Sequence, residues 1–191
     1  MSDVRRKIKC GGVALTLRRF KPDDMEAMLR FARALPEHDL LFLGRDLKHH
    51  KVVEAWLAEI EDGFIDSLVA EGPDGIVATS AVVRDPLGWS SHVGEVRLLV
   101  LPGMRGHGLG RILLEQSFRI AIDRDLKKLV ARMTPDQTGA ITLFENMGFR
   151  GEAMLRDHVM GRDGAVHDLA ILSHDIARVA AQLEAFGLHQ G

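Results

Sequence analysis

Three glycines at alternate positions, Gly106, Gly108 and Gly110, stand between Arg105 and Arg111 in the stretch Val-Leu-Pro-Gly-Met-Arg-Gly-His-Gly-Leu-Gly-Arg, residues 100–111. An apolar run, 96–101, leads into this stretch and a helical pattern leads out of it. A turn of this kind opens a helix with backbone N–H groups that have no intrahelical partner, at the positive end of the helix dipole. Its natural ligand is an anion, and a pyrophosphate fits. Glycine lets the backbone approach phosphate oxygens with no Cβ in the way. Arg105 and Arg111 add fixed charge at the two ends, and His107 lies inside the loop as a surface residue within reach of phosphate. A ligand-free tight turn would use the same glycines; the preceding strand, the following helix and the two arginines favour phosphate. A P-loop is excluded, because Gly110 is followed by Arg111-Ile112 and not by Lys-Ser or Lys-Thr. The dinucleotide fingerprint needs Gly-x-Gly-x-x-Gly and an acidic residue ending the next strand. Here the spacing is Gly-x-Gly-x-Gly and the next strand ends Ala131-Arg132-Met133, which disfavours a nucleotide-binding oxidoreductase.

The elements that must position this loop alternate along the chain. Residues 13–20 alternate apolar and polar side chains as a half-buried strand does. Lys21-Pro-Asp-Asp opens a helix whose stripe is Met25, Met28, Leu29 and Ala32. A second helix, about 47–60, puts Val52, Val53, Trp56, Leu57 and Ile60 on one face. Strands 67–70 and 76–84 flank the turn Gly72-Pro-Asp-Gly75. Strand 92–101 follows, then helix 108–125, with Leu109, Ile112, Leu113 and Ile120 inward and Arg111, Glu115 and Arg119 outward. A strand at 128–133, a helix at 137–147, a hairpin of 149–160 with 166–172, and an amphipathic helix at 175–186 complete the order. Cys10 falls before the first strand, in a segment read as mobile.

Composition bounds the class. A chain of 191 residues, 46% hydrophobic and 27% charged, reads as a single globular domain, 1–191, with a core of about 13–173. A net charge of −2 gives no basis for a nucleic-acid or anionic-membrane partner. No apolar run approaches a bilayer span, and the basic start breaks at Arg18-Arg19 too early for a signal peptide. One cysteine allows no internal disulfide and suits a reducing cytoplasm. The nine histidines show no ligand spacing, since His49 and His50 are adjacent and His167 and His174 are far apart, so no metal is expected.

Two motifs carry a family resemblance. Residues 105–110 match, position for position, the Gln/Arg-x-x-Gly-x-Gly/Ala pyrophosphate loop of the GNAT acetyltransferase superfamily. Residues 137–149, Gln-Thr-Gly-Ala-Ile-Thr-Leu-Phe-Glu-Asn-Met-Gly-Phe, resemble that family's Asn-x-x-Ala-x-x-x-Tyr-x-x-x-Gly-Phe. The resemblance covers residues 13–173. It implies an α/β (α+β) GNAT fold, a mixed and mostly antiparallel sheet splayed between its fourth and fifth strands, 93–101 and 128–133, and flanked by helices. Into that gap would go the pantetheine arm of acetyl-CoA, bonded to the backbone of Leu98, Leu99 and Val100 as an added strand would be. Arg105, Gly106, His107, Gly108, Leu109, Gly110 and Arg111 would hold the pyrophosphate. Gln137 stands where the family has Asn and keeps the amide with an extra methylene; it reads equally as a helix-start residue.

The implied reaction is direct attack of an amine on the acetyl thioester within a ternary complex. It needs a base, donors for the oxyanion and an acid for the thiolate. Glu95 lies where many family members carry the base; alternatively it is a surface carboxylate paired with Arg97. The Val100 N–H is the implied oxyanion donor. The family phenol is replaced by Phe144, which can pack on the CoA arm or simply fill the core, and the chain has no tyrosine at all. A catalytically weak acyl-CoA-binding sensor is therefore the alternative function. The acceptor, a small-molecule or protein amine, would meet residues 33–47, with Asp39, Phe42 and Asp46, and the hairpin near Asp157, His158 and Asp168. Residues 18–46 also faintly resemble the GNAT domains of bacterial protein lysine acetyltransferases, and a homodimer is possible.

Overall fold

The computed structural model describes residues 5–176. Gly11 and Gly12 both hold positive φ, 55° and 80°, the combination that a two-residue hairpin turn demands. They join β1 (Arg6–Cys10) to β2 (Val13–Arg19), with Cys10 opposite Val13. This corrects the expectation that the sheet begins at residue 13 and that Cys10 is mobile: the thiol is 3% exposed and lies in the core. The Gly-Gly pair was the signal, masked by Arg6, Lys7 and Lys9, charges that suit an outermost strand because they discourage edge pairing.

The remaining strands are β3 (Ile65–Gly72), β4 (Gly75–Val83), β5 (Val93–Val100), β6 (Lys128–Met133), β7 (Arg150–Met160) and β8 (Val166–Asp175). They form one sheet in the order β1-β2-β3-β4-β5-β6-β8-β7, antiparallel except at β5–β6. Because side chains alternate across a strand, the sheet feeds two cores. Val82, Val96 and Leu129 pack with α3 (Leu109–Asp123) and with Phe144 of α4 (Thr138–Asn146). Val69, Ala81 and Leu99 pack with α1 (Met25–Ala34), α2 (His50–Glu61) and a 3₁₀ segment, Glu37–Leu43.

Several boundaries differ from the sequence reading; the strand expected at 67–70, for example, runs Ile65–Gly72. A 3₁₀ turn at Pro22–Asp24 precedes α1. The second helix begins at His50, so His49 is its cap and not a residue on its face. Asp175 pairs with Lys128 as part of β8, so the helix expected from 175 starts instead at Ile176; residues 177–186 of that expectation lie outside the described residues. The far end of α3 is anchored by Asp66, 3% exposed, whose carboxylate accepts bonds of 2.7 and 2.8 Å from Arg124 and one of 3.3 Å from Arg19. Burial works to raise that carboxyl, and the two guanidiniums outweigh it, holding it below the usual carboxylate range. Among the described residues no helix is long and apolar enough to cross a membrane.

Candidate active site

The parallel pairing of β5 with β6 runs from Val93↔Lys128 to Val96↔Ala131 and then stops, while β5 continues against β4. The Leu101 N–H donates to Val77 O at 2.9 Å. By strand alternation the backbone groups of Leu99 therefore face β4, and those of Leu98 and Val100 face the gap. This corrects one of the three expected backbone contacts: Leu99 is committed to the sheet. The Val100 carbonyl already accepts a 3.1 Å bond from Arg105 Nε, which leaves its N–H directed into the gap.

The gap opens into a groove of about 640 Å³. Leu98, Leu99, Val100, Arg105, Gly106, Gly108, Gly110, Arg111, Gln137 and Phe144 line it, so distant parts of both sequence motifs meet in one place. His107 and Leu109 do not line it. The His107 ring lies against the β1–β2 turn, where a Cβ on Gly11 would come within 2.8 Å of it, and Leu109 is a core residue. Gly108, at φ 82°, caps α3 in the left-handed region, with nothing within 4 Å of where its Cβ would be. The Ile112 N–H is the donor that returns to Gly108 O, so the N–H groups of Leu109, Gly110 and Arg111 precede the first α-helical bond.

The charged side chains of the loop are already engaged. Arg105 reaches Asp39 of the 3₁₀ segment at 2.5 Å, and Arg111 pairs with Glu115 at 3.1 Å. Gln137 uses its amide oxygen on the Thr134 N–H at 3.3 Å, within the β6–α4 turn. Phe144 is buried with its ring edge-to-face on Phe149 at 4.9 Å, so it is core and groove wall at once.

Glu95 does not line the groove. Its carboxylate accepts a 2.8 Å bond from Arg97 and lies 3.5 Å from Arg132, which does line the groove. The pairing with Arg97 matches the alternative reading of this residue.

His38, Asp39, Phe42, Arg132, Met133 and Asp136 also line the groove. Of these, Asp39 and Phe42 are the ones that the sequence singles out, and His38 lies with them in the stretch 33–47. His38 Nε2 lies 2.8 Å from Asp136 Oδ2 and 2.9 Å from Thr134 Oγ1, and the ring meets His167 edge-on at 5.0 Å. Burial works to raise the Asp136 carboxyl, and hydrogen bonds from Thr134 and His38 outweigh it, leaving it below the usual range. His38 and Thr134 are 96 residues apart, and no local pattern announces such a pair. Asp46, Asp157, His158 and Asp168 lie elsewhere. Asp46 bonds Arg162 at the hairpin tip, and Asp168 accepts the Asp157 N–H at 2.9 Å. Among the described residues no group of three or more His, Cys, Asp and Glu side chains could hold a metal ion.

Comparison with known proteins places this geometry. Over 92 residues the chain is 34% identical to the streptothricin acetyltransferase of Streptomyces lavendulae, a match spanning 48% of each chain. Over 58 residues it is 40% identical to the mycothiol acetyltransferase of Catenulispora acidiphila, covering 30% of this chain and 18% of that one. The chain thus matches half or less of these two relatives. The fold is shared with a ribosomal-protein-alanine N-acetyltransferase from Brucella melitensis, with TM-score 0.70, 22% identity, and coverage of 84% of this chain and 99% of that one. It is also shared with the spermidine N-acetyltransferase of Vibrio cholerae, solved with CoA and spermine, with TM-score 0.69, 16% identity, and coverage of 84% and 95%. The model of the Acetyltransferase (GNAT) family matches residues 25–149, from α1 through the glycine loop to the end of the second motif, and the chain belongs to that family.

Proposed function

We propose that this protein transfers an acetyl group from acetyl-CoA to an amine acceptor by direct attack in a ternary complex. The observation that carries the reading is the meeting of the open half of β5 with the glycine loop of α3 in one groove. Leu98 and Val100 offer backbone groups to an extended pantetheine arm, as a strand edge does to an added strand. The α3 amides and the open space above Gly106 and Gly108 suit a pyrophosphate. The Val100 N–H is a fixed donor for the oxyanion that forms when the amine adds to the thioester carbon. Glu95, one residue before the last paired position of β5, serves as the base; because it does not line the groove, it takes the ammonium proton through an intervening water. The acceptor is an amine, as in the named activities of the streptothricin and spermidine enzymes. A cytoplasmic setting fits this reading.

The non-catalytic alternative, an acyl-CoA sensor, draws on Phe144 in place of the phenol and on the two arginines that already occupy Glu95. Thermal shifts with acetyl-CoA, CoA, NAD and ATP in parallel test the ligand. A native-state ligand at a hundredfold excess over Kd stabilises by about 2.7 kcal/mol. Stabilisation by NAD and not by CoA overturns the proposal. Free-thiol release across polyamines, aminoglycoside-type antibiotics, amino acids and lysine peptides then separates enzyme from sensor.

A further inference from the structure

Building on the acetyl-transfer reading, we propose that His38 is the general acid of the reaction and that Asp136 positions it. The family's usual phenol is absent: Phe144 has no proton to give and the sequence contains no tyrosine. His38 lines the same groove as Phe144 although it comes from the opposite face of the sheet. Its Nε2 is fixed between Asp136 Oδ2 and Thr134 Oγ1, at 2.8 and 2.9 Å. A carboxylate on one ring nitrogen assigns the N–H to that nitrogen, fixes the ring orientation and balances the charge of the imidazolium. The other nitrogen, Nδ1, makes no hydrogen bond among the described residues and is the one left to exchange a proton.

Three further contacts involve the ring and its two sequence neighbours, Glu37 and Asp39. His167 of β8 meets it edge-on, Arg162 of the β7–β8 turn holds Glu37, and Arg105 of the loop holds Asp39. Arg132, the other cation of the groove, faces Glu95. The acidic side chains beside His38 on its own segment are thus occupied by arginines, and Asp136 is the carboxylate directed at it.

The step balances as follows. The amine nitrogen forms a bond to the thioester carbonyl carbon and its extra proton passes by way of water to Glu95. As the C–S bond breaks, its electron pair goes to sulfur, which takes the proton from His38 Nδ1–H. The products are the amide, the free CoA thiol and a neutral imidazole, which regains its proton from solvent.

The test uses the full chain, acetyl-CoA and whichever amine of the panel above gives the fastest thiol release. His38→Gln should bind acetyl-CoA within about twofold of wild type by calorimetry, while kcat falls by about 10²-fold, the scale of one acid–base group. Wild-type kcat should decline on the alkaline side as the imidazolium is lost, and His38→Gln should lack that limb. Asp136→Asn should retain intermediate activity with the limb moved to lower pH, a shift that a merely structural contact would not cause. If His38→Gln fails to fold, Asp136→Asn carries the test alone. Turnover of His38→Gln within about threefold of wild type, or an alkaline limb unmoved in Asp136→Asn, overturns the role of His38. No thiol release from wild type that binds acetyl-CoA overturns the acetyl-transfer reading itself, and this proposal with it.

Discussion

The two walls of the groove are made of different materials. On the α3 side the wall is mostly backbone: strand amides at Leu98 and Val100, and a glycine loop contiguous in sequence. On the side of the 3₁₀ segment it is side chains drawn from far apart. His38 meets Thr134 across 96 residues, and Asp39 meets Arg105 across 66. A backbone wall needs only a local conformation, so it can serve a ligand whose chemistry never varies. A side-chain wall can be rebuilt one substitution at a time, as a wall facing variable acceptors must be.

Substitutions at the loop wall and at Glu95, just behind the groove, should separate into binding and turnover effects. The largest effect expected is on turnover. Glu95→Gln should lower kcat by about 10²-fold while acetyl-CoA affinity holds. An unchanged rate and pH profile would remove Glu95 from the chemistry. Gly108→Val should do the reverse, because a branched residue is strained at φ 82° and sets its side chain over the phosphate position. A loss of acetyl-CoA affinity above tenfold, about 1.4 kcal/mol, is expected with the fold retained; wild-type affinity in a folded variant would show that the loop holds no phosphate.

Arg105→Gln sharpens the contrast between backbone and side chain. Its guanidinium is engaged by Val100 O and Asp39, so acetyl-CoA affinity should weaken by only about two- to fivefold, as for a partly exposed ion pair. A loss larger than that of Gly108→Val would place the weight of phosphate binding on the arginine.

The smallest effect lies behind both walls. His174 packs against Phe118 at 4.8 Å and Phe149 at 5.4 Å, and its Nδ1 has no partner among the described residues. Burial holds it below its ordinary value of 6.5; Asp175 opposes that shift and Arg150 adds to it. The unfolded chain therefore binds this proton more readily than the native state does. Stability conferred by the neutral ring is complete above about pH 6.5 and declines as pH falls toward the depressed native value. Melting temperatures of wild type and His174→Gln between pH 8 and 5 should converge toward the acid end. Parallel curves would show that His174 does not titrate differently in the two states. Asp66 acts in a lower window, where its paired carboxylate begins to protonate.

The same contrast explains what could be read without coordinates. Gly106, Gly108 and Gly110 announce a turn because their conformational freedom belongs to the residue type, and the flanking periodicities place a strand before it and a helix after. Which backbone groups of 98–100 face the gap is not legible in the sequence, because strand alternation depends on which neighbour forms the paired ladder, and only the β4 register directs the Leu99 backbone to β4. His107 and Leu109 fall within the motif yet face away from the groove, since a glycine loop turns successive side chains in different directions. His38 and Asp136 carry no local mark; the long path between them, through four strands and two helices, is what makes them neighbours. The burial of Cys10 is hidden from the sequence because charge on an edge strand looks like charge on a leader.

The short seam between β5 and β6 has a consequence for how the molecule comes apart. Five strands on one side and three on the other meet only between Val93↔Lys128 and Val96↔Ala131. A sheet joined so briefly behaves as two cooperative units, and the unit with fewer neighbours opens first. Amide hydrogens of β6, β8 and β7 should exchange with solvent sooner than those of β3 and β4, which have strands on both sides and a core on each face. A pantetheine arm lying along Leu98 and Val100 would lengthen the seam and draw the two exchange rates together.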